Sequence, residues 1–255
     1  MAISTPTNVA AVTGGSVGNL STYDTAVTVL TAGRLYLLTF ANYKASAPAV
    51  PTSVQHDPVG TPLSFTLITD GTDNAQVISY DSAAHRAVSV WYVIPGSTTA
   101  SALIRITGMG ACSAAGWSLT EITSGFDATG GATTFPGVAT NSGLQTSAIA
   151  VTMAAYANTN NLTYLAMAWG DLTANPAETI VATESRTELE EHNDGERESL
   201  GSDYQNPNGS DTSIGATLSA STVDWAAIGI EVAVASSVPS GSGFPFTLRL
   251  LGVGS

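Results

Sequence analysis

The sequence predicts an all-β chain folded as an antiparallel β-sandwich. Three observations predict it. Short runs rich in Val, Ile, Thr and aromatic residues alternate with clusters of Gly, Pro, Ser, Asn and Asp, which is how strands and turns punctuate a chain. No long stretch repeats its apolar residues at helical spacing. The many Thr, Val and Ile residues have branched side chains that are stiff at χ1 and suit a pleated surface. With 255 residues and 44% apolar content, one domain of sandwich size can bury a core.

The strands follow in order. Arg34 to Ala41 (RLYLLTFA) is apolar on both faces and predicts a central strand. Leu63 to Thr69 places Leu63, Phe65 and Leu67 on one face. Arg86 to Ile94 (RAVSVWYVI) places Val88, Val90, Tyr92 and Ile94 on one face and Trp91 and Val93 on the other. Pro95-Gly96 stops that strand. Ala102 to Thr107 resumes with Ile104 and Ile106 aligned, and the two runs read as an antiparallel hairpin with a loop of several residues. Trp117 to Ile122, Thr146 to Met153 and Leu162 to Trp169 continue the series, with Ile149, Val151 and Met153 sharing a face. Trp225 to Val234 (WAAIGIEVAV) is rich in alanine. Its Ile228, Ile230, Val232 and Val234 nevertheless recur every second residue, and Gly229 disfavours a helix. About ten to twelve strands result, the pattern of a sandwich or barrel.

Charge narrows the function classes. Only 11% of residues are charged, and the net charge is −13 with Lys44 the sole lysine. Nucleic acid and anionic membranes both call for a cationic surface, so neither is an expected partner. No apolar run approaches the roughly 18 residues of a membrane-spanning helix. The start MAISTPTNVAAVTGG has neither a basic head nor an apolar stretch, so it is not expected to be a secretory signal. Cys112 is the one cysteine. It excludes an internal disulfide and a multi-cysteine metal site, and it fits a reducing compartment.

Candidate chemistry is sparse. Gly14-Gly15-Ser16-Val17-Gly18 matches G-x-S-x-G, but a nucleophile elbow needs a helix after it, and here turn residues and an alternating run follow. It is read as a turn. His56, His85 and His192 lack the spacing of about three to five residues that a zinc pair needs. His56 and His85 lie in turn-like contexts. Asp70-Gly71-Thr72-Asp73-Asn74 offers oxygens to calcium without the distal Glu of an EF-hand, and reads as a tight turn. Glu184 to Asp203 holds 8 of the 20 acids and two arginines. Like charges repel, so this segment reads as a solvated loop rather than a calcium site or a glycosidase pair. No cofactor is expected, and calcium is the one ion these acids suit. Trp91, Trp117, Trp169 and Trp225 lie in apolar strands and read as core. Tyr23, Tyr43 and Tyr204 lie in polar segments and read as the better exposed contacts.

The domain is expected over residues 1–235. A linker (SSVPSGSG, through residue 243) leads to a strand-like arm over residues 244–255. Phe244, Phe246, Leu248 and Leu250 alternate, so they share one strand face. Burying such side chains is worth about 1.5–3 kcal/mol each. Two outcomes are open at this point. The arm returns to its own sandwich, or it augments a neighbouring subunit's sheet as the candidate intersubunit contact.

Arg86 to Ile122, with RAVSVWYVIPGSTTASALIRIT and then AAGWSLTEI, carries a resemblance. Together with WAAIGIEVAV and the polar stretch before it, it resembles a jelly-roll β-sandwich family of bacteriophage structural proteins. The resemblance spans Leu35 to Val234 and rests on strand-and-turn patterns. It implies a jelly-roll sandwich and a non-enzymatic virion role, such as capsid decoration or cement, assembled in a host cytoplasm. The implied partners are further copies of the chain and a major capsid or tail protein. The alternative is a carbohydrate-binding module or a tail-associated adhesin domain. The Phe-rich arm lies outside the resemblance.

Overall fold

A computed structural model describes residues 2–44, 46–80, 85–144, 146–170, 180–182, 186–193, 199–219 and 224–236. The arm residues Phe244, Phe246, Leu248 and Leu250 lie outside the described residues. Sixteen strands and one short helix are described. The first half of the chain holds β1 (Thr7–Asp24), β2 (Leu35–Tyr43), β3 (Ser53–His56), β4 (Leu63–Ser64), β5 (Thr66–Leu67), β6 (Gln76–Tyr80), β7 (His85–Val93) and β8 (Ile104–Ile122). After α1 (Gly131–Thr134) come β9 (Gly137–Gly143), β10 (Ala148–Thr152), β11 (Leu162–Gly170), β12 (Ile180–Ala182), β13 (Thr187–Asn193), β14 (Ser199–Gln205), β15 (Ser213–Leu218) and β16 (Asp224–Val232). Every ladder among the described residues is antiparallel.

The predicted all-β sandwich is the fold. β1–β8 make one sheet, in which β8 carries β1 on one side and both β2 and β3 on the other. The second half makes a five-stranded sheet, β13-β14-β11-β16-β9, and a three-stranded one, β10-β15-β12. Alternating side chains join these layers through three cores. Leu35, Leu37, Val88 and Val90 of the first sheet meet Tyr164, Ala166, Ile228 and Ile230 of the second. On the opposite face of β2, Tyr36, Leu38 and Phe40 join Trp91, Trp117, Ile104 and Ile106, around which the first sheet curls. On the opposite face of β11, Leu165, Met167 and Trp169 meet Ile149, Val151, Ile214 and Leu218 of the small sheet. β2, β11 and β16 are therefore buried on both faces. That is why each reads as a near-continuous apolar run.

One bend makes the curl. Along β8, Thr107 pairs with Thr22 and Cys112 pairs with Leu20, so residues 108–111 bulge out of the ladder. Gly108 and Gly110 take φ of 81° and 69° there, values that L side chains avoid. A Cβ on Gly108 would also lie 1.8 Å from the Thr52 hydroxyl. The bulge redirects β8 from its ladder with β2 to its ladder with β3.

Several expectations are corrected. The Arg86 and Ala102 runs do not form a hairpin. β2 lies between β7 and β8 and pairs with both, because a strand that is apolar on both faces needs neighbours on both edges. Gly14 to Gly18 is not a turn but part of β1, with register shifts between Gly14 and Ser16 and between Ser16 and Leu20. Glu184 to Asp203 is not a solvated loop, since β13 and β14 pair within it. Leu63 to Thr69 divides into β4 and β5, and its Phe65 enters the core with Leu63 and Leu67 packed beside it.

Candidate functional site: a sheet edge and a buried polar cluster

The sheet edge is β1. Among the described residues it pairs with β8 alone, so no described strand takes up the main-chain donors and acceptors on its other side. From Thr7 to Tyr23 it contains no charged residue and no proline. Its regular stretch, Ala10 to Gly14, runs opposite Leu119 to Ala115. Val9 and Leu20 are exposed. The far end is closed by Asp24, whose carboxylate accepts two hydrogen bonds from Arg105 at 2.7 and 2.6 Å. The near end lies beside the exit of the described chain. The Ser4 amide donates to Ser124 O (3.0 Å) and the Ala235 amide donates to Gly125 O (2.7 Å). Ala2 and Ser236 line the same cavity of about 600 Å³, together with Asn158, Asn160, Asn206 and Pro207.

The polar cluster sits at one end of the five-stranded sheet. Thr163 of β11 stands between Gln205 of β14 and Glu231 of β16, all on the face that carries Leu165 and Met167 further along. Two residues from Gln205, Asp203 accepts a hydrogen bond from Arg186 Nε, and both side chains are fully buried. Burial pushes the Asp203 carboxyl up to about 6, although the Arg186 charge pulls it down. Glu231 is held by Asn161 Nδ2 at 2.7 Å and by the Ala157 amide at 3.3 Å. Tyr156 lies over this group, and burial raises its pKa against the opposing pull of Thr163 and Arg186. Chemically the cluster is a clamp. Each carboxylate is turned toward a donor from another segment, so the cluster ties β16, the Asn158–Asn161 turn and the strand pair β13–β14 together.

The residues singled out in the sequence are dispersed. His56 is buried at the end of β3, with its Nε2 3.1 Å from Thr28 O. It lines a cavity of about 320 Å³ with Asp57, whose carboxylate accepts from the Gly60 and Thr61 amides at 2.9 and 3.1 Å. His85 opens β7, and its side chain lies outside the described part of the structure. His192 lies in β13, remote from both in the sheet order. The Asp70 to Asn74 segment is a turn. Asp70 Oδ1 accepts from the Thr72 and Asp73 amides, both at 2.8 Å, and Oδ2 accepts from the Val138 amide at 3.0 Å. Partial burial raises the Asp70 pKa, but these amides outweigh it and hold the carboxyl below its ordinary value. All four tryptophans are core residues, as expected. Tyr23 and Tyr43 are buried rather than exposed, which corrects the sequence reading, and Tyr204 is partly buried. Tyr43 lies under the Arg86 guanidinium, 5.5 Å from its ring centroid.

Sequence reasoning missed the β1 edge and the Arg186–Asp203 and Asn161–Glu231 contacts. One signal was available. Glu231 is the single charge in the apolar run Trp225 to Val234, and such a charge must find a partner when buried. The chain matches no family model, no curated protein and no solved structure.

Proposed function

We propose that the chain is a non-enzymatic structural protein of a bacteriophage virion, a decoration or cement protein on the particle surface. It acts by strand pairing and surface contacts between its own copies and with a major capsid or tail protein. The observation that carries this reading is the long, uncharged edge of β1, whose only described partner is β8. Such an edge is a template for pairing with another chain. The net charge of −13 suits a surface facing water rather than packaged nucleic acid. The arrangement of Arg186, Asp203, Glu231 and Asn161 supports a bracing role, because each carboxylate accepts a hydrogen bond from a donor on another segment.

The first test is the solution mass of the full chain, by light scattering after size exclusion. A discrete homo-oligomer supports assembly, and a monomer at every concentration overturns it. The virion assignment is tested separately by peptide mass spectrometry of purified particles from the genome that encodes the chain. Its peptides in intact particles support the assignment. Their confinement to the host-cell fraction overturns it.

A further inference from the structure

We infer that the edge of β1 left unpaired by the described residues is the acceptor for the C-terminal segment Phe244 to Val253 of a second copy of this chain. The inference rests on the assembly reading above and names its contact. The acceptor is main chain. Outer strands of natural sheets are blunted by charge, proline or brevity. β13, one of the two outer strands of the five-stranded sheet, carries Glu188, Glu190 and Glu191. β1 spans 18 residues and has neither charge nor proline before Asp24. Register shifts interrupt it, and Ala10 to Gly14 is its longest regular run. Five residues are about the length of an ordinary strand.

The donor is placed by where the described chain ends. Ser236 lies beside Ala2 at the shared cavity, a few residues before β1 begins. Residues 237–243 reach at most about 25 Å when extended. A linker of that reach is long enough to deliver the segment to the near end of β1. The segment FPFTLRLLGV is then long enough to cover the regular run, with Phe244, Phe246, Leu248 and Leu250 on one face.

Direction selects the second copy. Within one molecule, a segment that enters at the near end of β1 and runs along it gives a parallel pair. Every ladder among the described residues is antiparallel. A copy related by a two-fold axis brings its segment in from the opposite direction. That completes an antiparallel ladder, and symmetry makes two of them per dimer.

The test uses full-length chains. Ala11→Pro and Val12→Pro are adjacent in the regular run, so one removes an N–H directed at β8 and the other an N–H directed outward. The variant that keeps the parental melting temperature is the edge-blocked chain. Phe246→Asp/Leu248→Asp supplies a chain with an intact edge and a spoiled donor. Light scattering is expected to show loss of assembly in each alone. A one-to-one mixture of the two is expected to recover a dimer, because one chain donates and the other accepts. Monomers in the mixture would mean docking within one molecule and would overturn the inference. If both variants retain the parental oligomer, this contact is wrong while the assembly reading stands. If the parental chain is itself a monomer, the assembly reading fails first.

Discussion

β1 and β13 are both outer strands, and they meet where Asn8 Nδ2 donates to Glu190 Oε2. They are secured in different ways. β13 has a polar, acidic exterior, and the residue that leads into it, Arg186, is buried against Asp203 of the neighbouring β14. Besides its ladder to β14, it is anchored by one ionic contact taken out of water. β1 has no such anchor. It is held by an extended ladder to β8 and by the glycine bulge that lets β8 turn under it. A charged outer strand discourages further pairing, whereas an uncharged one permits it. The difference teaches that outer strands of one molecule can be closed to further pairing or left open to it.

The largest expected effect comes from breaking the β13 anchor. Asp203→Ala leaves the Arg186 guanidinium buried without its carboxylate and is expected to cost about 3–5 kcal/mol in chemical denaturation. Arg186→Met/Asp203→Leu removes both charges and is expected to recover most of that loss. A double variant as unstable as the single one would mean that packing, not charge, fixes β13. Next comes the β1–β8 bend. Gly108→Ala combines a left-handed φ with a clash at Thr52 and is expected to cost about 2–4 kcal/mol. Wild-type stability would show that the bulge relaxes freely.

The pH dependence sharpens the same contrast. The Asp203 carboxyl is raised from 3.8 to about 6 in the folded chain. The native state therefore keeps a proton that the unfolded state has already lost between these values. Stability from this group falls as pH rises from about 4 through 6 and levels above that, by about 2–3 kcal/mol in all. Asp203→Asn is expected to remove this slope in urea midpoints measured across that range. A slope that survives the substitution belongs to another group. The smallest effect is at the far end of β1. Asp24→Asn breaks the solvent-exposed pair with Arg105 and is expected to leave the melting temperature within experimental scatter.

The strands most legible in the sequence were those buried on one or both faces. Arg34 to Ala41, Leu162 to Trp169 and Trp225 to Val234 read correctly because burial writes itself as apolar alternation. β1 and β13 were illegible for opposite reasons. Gly14 to Gly18 has the local composition of a turn, and only its ladder with β8, distant in sequence, makes it a strand. The acids of β13 suggest mutual repulsion, yet Glu188 turns to water, Glu190 accepts from Asn8 of β1, and Leu189 packs inward. The order β8-β2-β7 could not be read locally, since pairing is decided by partners far along the chain. Tyr43 looked exposed because Lys44 and polar residues follow it, although it is the last residue of a fully buried strand. Of the candidate site, the apolar donor segment was visible in the sequence, whereas its proposed acceptor was visible only in the fold.

The ladder between β1 and β8 also bears on biosynthesis. β1 lies near the start of the chain, and its partner follows roughly 100 residues later. At ribosomal speeds of about 5–20 residues per second, β1 waits on the order of 5–20 s before β8 emerges. For that interval a nascent segment without charge or proline stands unpaired in a crowded polysome, beside identical segments on neighbouring ribosomes. The yield of folded chain should therefore depend on translation rate and on holdase chaperones more steeply than its final stability suggests.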